Sequence, residues 1–392
     1  MEVVVGTYDP LLLGFQLIRN PDNEKSFRFE PKFVDRGHAG CVKSVVCDQE
    51  GSILASGSTD ESIRLFSLKD HRELGSLHQH EGSVTSLTFC GNTHMLSASE
   101  DKTICVYDCK TWECLKVLKG HKGTVNSISV HPSGRLAMSV SKDKHLRTWN
   151  LVTGRSAYVT HIKEDATLIK WSPSGDCYAL VIGNKIVLYK LATASLSCTL
   201  ELPRPVLAIQ FLTEKYLVAG GEFDGIRVFD IEKETCIQTV SGHESRVKAI
   251  EVVCNPFPDE DSKCLLVFSV SSDGDLRAWS FNRDNFEEEA SLLARYEMNG
   301  RPTCLTVSYP GKLSHSKKNT ETEQKVQEKQ EDHDISEQRP RDSGVEPTKK
   351  KIKKKKKGSS KKKKKPVDGE ETTTAQPSEL HEDEDEEMEK ST

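Results

Sequence analysis

Residues 120–149 read GHKGTVNSISVHPSGRLAMSVSKDKHLRTW. A Gly-His pair leads into Val125-Asn126-Ser127-Ile128-Ser129-Val130, which alternates with the period of two expected of a half-buried strand. His131-Pro132-Ser133-Gly134 follows, with Pro and Gly where a type I turn takes them. A second run of small residues carries Ser139, Asp143 comes next, and an aromatic, Trp149, stands six positions on. Trp171-Ser172-Pro173-Ser174-Gly175 repeats the Pro-Gly turn one unit later. Short strands bounded by Gly, Pro, Asp and Ser, with no long helical period anywhere in 1–310, predict an all-β protein.

The unit recurs. Gly37-His38, Gln79-His80 and Gly120-His121 follow one another at intervals of 42 and 41 residues, and Gly242-His243 comes 122 residues after the third, room for three units. Each clear unit holds a His, a Ser, an Asp and an aromatic: His38, Ser56, Asp60, Phe66; His80, Ser97, Asp101, Tyr107; His121, Ser139, Asp143, Trp149; and His243, Ser269, Asp273, Trp279. In all four the Ser stands four before the Asp and the aromatic six after it, although the last set carries an insertion, Asn255 to Ser262, between His and Ser. Invariance across an insertion points to a fixed three-dimensional constellation. The pattern closely resembles the WD40 repeat.

Two units are degenerate. The fourth has His161 near the expected place, but Gly183-Asn184 replaces the Asp turn; the fifth has Pro203-Arg204-Pro205 for Gly-His, and Asp224 stands five before Phe229. Both keep their apolar alternation, so they read as blades without the polar lock, expected to open more readily than the others. Six units start near 38, 80, 121, 161, 203 and 243, and the two ends supply a seventh. Arg301 to Val307 reads as a first strand with nothing after it, while Val3 to Tyr8, Leu12 to Leu17 and Phe27-Arg28-Phe29 read as later strands with nothing before them. Joining them seals a seven-bladed β-propeller over 1–310 and is expected to abolish exposed strand edges.

His, Ser and Asp together suggest a hydrolase triad, but a catalytic set occurs once and this one occurs four times at blade spacing. A structural hydrogen-bond network is expected instead, Asp holding His, His bonding Ser, and Ser meeting an indole where one exists. Phosphate-loop, dinucleotide, HExxH and GxSxG motifs are absent, Gly220-Gly221 reads as a strand-to-turn passage, and no catalysis, cofactor or metal is expected. Twelve cysteines without compact spacing read as reduced thiols of a cytosolic or nuclear protein, and Cys105, Cys109 and Cys114 fit no common zinc knuckle. The acidic runs Asp259-Glu260-Asp261 and Glu287-Glu288-Glu289 read as solvated loops. No run approaches the roughly eighteen apolar residues of a membrane helix. Glu2 and Asp9-Pro10 argue against a secretory signal.

At 29% charged, 35% hydrophobic and 6% aromatic, the 392 residues are too polar for one compact domain and imply a folded part plus a solvated part. Residues 311–392 carry 21 basic and 20 acidic side chains, leaving 34 and 40 for 1–310. The composition of 311–392 predicts a disordered tail. Its signs are segregated: Lys349, Lys350, Lys351, Lys353, Lys354, Lys355, Lys356, Lys357, Lys361, Lys362, Lys363, Lys364 and Lys365 put 13 lysines into 349–365, and 11 acidic residues follow in 368–389. The lysine block reads as a nuclear or nucleolar targeting signal and as a sequence-independent RNA-backbone contact, since no aromatic lies near it to stack on a base. No lipidation site or apolar anchor accompanies it, so a membrane is not expected as a partner.

One stretch goes beyond the generic repeat. Trp112-Glu113-Cys114-Leu115-Lys116, Gly120-His121-Lys122-Gly123, His131 to Ala137, Leu146 to Leu151 and Gly154-Arg155-Ser156-Ala157 closely resemble the p21-activated kinase-interacting protein 1 family, as do Trp171-Ser172-Pro173 and Asn184-Lys185-Ile186. The resemblance implies a nucleolar WD40 scaffold of large (60S) ribosomal subunit assembly and pre-rRNA processing, with pre-60S assembly factors as partners. It also implies a negative regulator of p21-activated kinases that binds the kinase regulatory region. A monomeric propeller within larger complexes is expected on either account.

Overall fold

The computed structural model describes residues 1–20, 23–255 and 264–309. The predicted tail 311–392, with its lysine block and acidic end, lies outside the described residues, as do Asp259-Glu260-Asp261. All regular structure among the described residues is strand. In chain order come β1 (Glu2–Thr7), β2 (Leu12–Asn20) and β3 (Asn23–Asp35). Blade 1 follows with β4 (Val42–Cys47), β5 (Ile53–Ser58), β6 (Ile63–Ser67) and β7 (Arg72–Leu77). Blade 2 has β8 (Val84–Cys90), β9 (His94–Ser99), β10 (Thr103–Asp108) and β11 (Cys114–Lys119), and blade 3 has β12 (Val125–Val130), β13 (Leu136–Ser141), β14 (His145–Asn150) and β15 (Arg155–His161). Blade 4 holds β16 (Leu168–Trp171), β17 (Cys177–Ile182), β18 (Lys185–Lys190) and β19 (Ser195–Glu201). Blade 5 holds β20 (Val206–Phe211), β21 (Tyr216–Gly221), β22 (Ile226–Asp230) and β23 (Thr235–Val240), and blade 6 holds β24 (Val247–Cys254), β25 (Cys264–Ser271), β26 (Asp275–Asn282) and β27 (Ser291–Glu297). The last strand, β28 (Pro302–Ser308), pairs with β1 in a sheet of order β28-β1-β2-β3. This is blade 7, built from both ends of the chain.

Each sheet is apolar on both faces, so its stability depends on having a neighbour on each side. Seven hydrophobic clusters answer to seven blade junctions. Val140, Leu146, Ile169 and Leu180 join blades 3 and 4, for example, and Val3, Phe15, Phe268 and Val270 join blades 7 and 6. Val4 and Leu12 meet Val42 and Leu54 across the junction of blades 7 and 1. Burying an aliphatic or aromatic side chain of this size contributes about 2 kcal/mol. Register shifts recur at one place on the inner strands, between Val42 and Ser44, Val84 and Ser86, Val125 and Ser127, Val206 and Ala208, and Val247 and Ala249. Such bulges raise local twist, here at the start of each of these inner strands.

Closure is made by backbone and side chain together. Val3 faces Val307, Val4 faces Thr306 and Val5 faces Leu305 in the β1/β28 ladder. The Thr303 hydroxyl bridges the carbonyls of Gly6 and Val42, tying blade 7 to blade 1, and Ser308 Oγ donates to Gly51 O at 2.8 Å. Sealing the ring does not remove every edge, contrary to the sequence expectation: the fourth strand of each blade still faces solvent. Those strands are largely exposed and mix charged residues such as Arg72-Glu73 of β7 with apolar ones such as Leu74, Leu115, Tyr158 and Val159, so the edges persist.

Deleting residues 1–20 removes β1 and β2 and leaves β28 without a partner. Circular dichroism melting and limited proteolysis should then show a lowered unfolding temperature and rapid digestion beginning in blades 6 and 1. An unchanged melting curve would show that the ring does not need its seal.

Candidate functional site

The turn between the second and third strands of a clear blade starts from an Asp whose carboxylate serves as a hub. One oxygen caps the turn: Asp60 Oδ1 accepts from Ser62 N at 3.0 Å, Asp101 Oδ1 from Thr103 N at 2.8 Å, and Asp143 Oδ1 from His145 N at 3.0 Å. The residue between is left-handed, with φ of 68° at Glu61, 72° at Lys102 and 62° at Lys144, and 92° at Gly274 in blade 6. The other oxygen reaches the loop that enters the same blade, where Asp60 accepts from Ala39 N and Asp143 from Lys122 N. Burial favours the protonated form of Asp60 and Asp101, but hydrogen bonds from Ser62 and His38, and from His80 and Thr103, outweigh it and hold both far below the ordinary carboxylate range.

From this hub the chain of bonds runs inward. A carboxylate can only accept, so the histidine carries its proton on Nδ1 and donates: His38 to Asp60 at 2.9 Å, His80 to Asp101 at 2.6 Å, His121 to Asp143 at 2.9 Å. The free Nε2 then accepts from the serine hydroxyl, Ser56 at 2.8 Å, Ser97 at 2.6 Å and Ser139 at 2.8 Å. In blade 3, Trp149 Nε1 closes the path by donating to Ser139 Oγ at 2.8 Å. Burial lowers the His121 pKa despite the Asp143 bond, consistent with a neutral ring. Phe66 offers no donor, and Tyr107 puts a buried phenol in the indole's place.

Blade 6 departs from the scheme. Ser269 is held by His243 Nε2 at 2.7 Å and Trp279 Nε1 at 2.9 Å, but His243 Nδ1 lies 3.9 Å from Asp273 and has no hydrogen-bond partner. The expected Asp273–His243 bond is therefore missing. The same blade differs two residues on: where blades 1 and 2 have Ser62 and Thr103, blade 6 has the buried Asp275, bound by Arg277 at 2.7 Å and Arg295 at 2.9 Å. Arg277 in turn crowds Gly242, whose φ of 147° suits only glycine. Burial first, then the Arg277 charge, lowers the His243 pKa to about 4.

The degenerate blades replace polar atoms with hydrocarbon. Pairing places Leu180 opposite Ile169 and Ala219 opposite Ile209, the positions of Ser139 opposite Ile128, and both are fully buried. His161 ends the exposed strand β15 against the His145 ring, with centroids 5.0 Å apart, and joins no network. Swapping both partners of a buried bond for apolar groups can be nearly neutral. Glu287, Glu288 and Glu289 lie exposed in a loop, as expected, with Lys233 Nζ 3.4 Å from the Glu287 carboxylate and Gln238 Nε2 donating to the Glu288 carbonyl at 3.0 Å.

What these groups can do chemically follows from access. The histidine side chains of the four sets are 0–1% exposed, and each serine is fully buried, so a substrate cannot reach either. Among the described residues, His243, Asp273 and Asp275 bring ligand atoms within 4.8 Å of one another. A cation there would face Arg277 and Arg295, which already neutralise Asp275. All twelve cysteines are free thiols. Sequence reasoning missed Asp275, Arg277 and Arg295; a period of two from Asp273 to Trp279 places the first two on one face of β26, whereas Arg295 reaches it only through the β26/β27 pairing.

Ser139→Ala strips both His121 and Trp149 of a partner, and Ser56→Ala strips only His38. Urea unfolding should register losses of roughly 3 and roughly 1.5 kcal/mol respectively. Equal losses would show that the indole bond adds nothing. For acid, the unfolded His243 takes its proton near 6.5 while the folded one resists to about 4. The unfolded chain thus binds more protons in that window, so stability is present above pH 6.5 and is lost as pH falls toward 4. Urea midpoints should drop across this range, and His243→Gln should flatten the slope; an unaltered slope in the variant would refute the assignment.

The WD domain, G-beta repeat family matches residues 29–67, 71–108, 112–150 and 234–280, each running from the outer strand of one blade through the third strand of the next, and each containing one of the four polar sets. Among curated relatives, p21-activated protein kinase-interacting protein 1-like from Danio rerio is 37% identical over 316 residues, covering 81% of this chain and 83% of that protein. The p21-activated protein kinase-interacting protein 1 of Homo sapiens is 34% identical over 310 residues, 78% of this chain and 77% of that protein. Protein MAK11 of Saccharomyces cerevisiae is 27% identical over 78% of this chain and 82% of its own length. With its fold, its repeated polar sets and these similarities, the chain belongs to the p21-activated protein kinase-interacting protein 1 family of WD40 proteins.

Proposed function

We propose that this chain is a non-catalytic scaffold that assembles protein partners on the faces of its propeller, in the nucleolus, during maturation of the large ribosomal subunit. The observation that carries the non-catalytic part is the inaccessibility of every His-Ser-Asp set, buried beneath loops in four symmetry-related places rather than opening on one cleft. Seven stiff blades hold their connecting loops in a fixed pattern on two faces, the arrangement through which rigid scaffolds present binding loops. Membership of the family supports the protein-interaction role, which the fold alone does not specify. The lysine block 349–365 supports delivery to the nucleolus and sequence-independent contact with RNA. A second reading is binding to the regulatory region of a p21-activated kinase and restraint of its activation; the name of the relatives supports the kinase interaction.

Affinity purification of the full chain from nuclear extract, with and without RNase, tests this by mass spectrometry. Large-subunit assembly factors should co-purify and stay after RNase. Recovery of a p21-activated kinase without those factors would move the assignment to the second reading, and recovery of neither would sink both. Imaging a variant that lacks 349–365 should show loss of nucleolar accumulation; unchanged accumulation would remove targeting from the block.

A further inference from the structure

On the face that carries the histidine loops, three blades bring positive charge to the rim of the central channel. Lys43 and Lys248 are the second residues of the inner strands β4 and β24, and Arg246 and Arg301 stand immediately before β24 and β28. Together with Tyr8 and Thr303 they line a pocket of about 660 Å³, a size suited to ligand binding. Lys43, Lys248 and Thr303 also line the channel of about 470 Å³, so the pocket opens into its mouth. Among the described residues, no carboxylate forms an ion pair with Lys43, Lys248 or Arg301; Glu222 holds Arg246 at 3.4 Å from the margin. Lys248 is half-buried, and burial together with the Arg246 and Lys43 charges lowers its pKa. Like charges gathered at a partly desolvated site are unfavourable until an anion joins them.

We propose that this pocket docks an acidic segment of a protein partner, its anionic side chains meeting Lys43, Lys248 and Arg301 and its backbone passing the exposed ring of Tyr8. The proposal rests on the scaffold reading above and gives it a surface and a partner chemistry. Nucleic acid fits less well. Its phosphates need a groove that tracks the strand with successive aromatic platforms, whereas these cations converge on one pocket beside a single aromatic. Carboxylates and phosphoserines share the required charge, and the experiment separates them.

Fluorescence anisotropy on the full chain tests the assignment with three probes of matched charge: an oligoglutamate peptide, a phosphoserine peptide and an oligouridylate. Because the lysine block is present in every variant, the readout is the difference between them. Lys43→Glu with Lys248→Glu should weaken peptide binding about tenfold or more, Lys43→Arg with Lys248→Arg should preserve it, and reversal of the exposed Lys69 and Lys110 should change it by less than about twofold. A photo-cross-linker on the peptide should mark β4 and β24. Whichever peptide binds more tightly names the anion. Equal losses in the control variant, cross-links confined to 349–365, or tighter binding of oligouridylate through Lys43 and Lys248 would overturn the proposal. If co-purifying partners are retained in full by the charge-reversed variant, the pocket assignment falls while the scaffold reading stands.

Discussion

A sheet that is apolar on both faces has no stable place in water except between two others, and everything else in this molecule follows from that. Each of the seven junctions is filled by side chains from two neighbouring blades, so no blade buries its own core alone. The arrangement is satisfied only when the last blade meets the first. That is why the chain spends its opening strands on completing the sheet begun by β28, a pairing between residues some three hundred positions apart. The cost is loop-closure entropy and a slow, non-local pairing step; the return is two fully packed junctions.

Polar groups enter this core only where they are answered. The Asp carboxylate caps its own turn and grips the loop that enters the same blade, so one side chain orders two segments of the presented face. The histidine and serine carry the connection inward to the second strand, and the indole, where present, extends it to the third. Blade 6 shows that the architecture depends on satisfied charge more than on any one bond. Asp273 still caps its turn through Asp275 N at 2.9 Å and holds Glu244 N at 3.1 Å, two arginines neutralise Asp275, and His243 is left with one free nitrogen and a depressed pKa. Blades 4 and 5 put Leu180 and Ala219 in the place of the serine, and in blade 4 Asn184 of the turn donates to Leu202 O at 2.8 Å. Rigidity of the loops, however achieved, is what makes the faces usable for recognition.

Most of the fold was legible in residues 120–149 and their echoes. The spacing of Ser139, Asp143 and Trp149 survives an insertion, and it marks positions brought together by strand pairing rather than by chain proximity. The bonds of blades 1 to 3 follow the order read from those spacings. The blade 6 bond does not, because a spacing fixes which residues face each other and leaves open whether their atoms come within hydrogen-bond reach; His243 and Asp273 stop 3.9 Å apart. His161 stands at nearly the right distance along the chain but on an exposed strand, one short of the loop that a locking histidine requires, and the fourth blade lacks its lock as its sequence indicates. The cations at the channel mouth left no local signal at all, since Lys43, Arg246, Lys248 and Arg301 belong to three different blades.

The amino-acid sequence by itself determined the all-strand class, the number of blades, their polar sets and the sealing of the ring by its two ends, because these depend on short-range alternation and on a repeat long enough to count. Only the tertiary structure decided which sets are intact, how a buried charge is neutralised, and where unpaired cations converge. Those outcomes depend on distances across blade junctions, and such distances are set by packing among side chains that the chain itself keeps far apart.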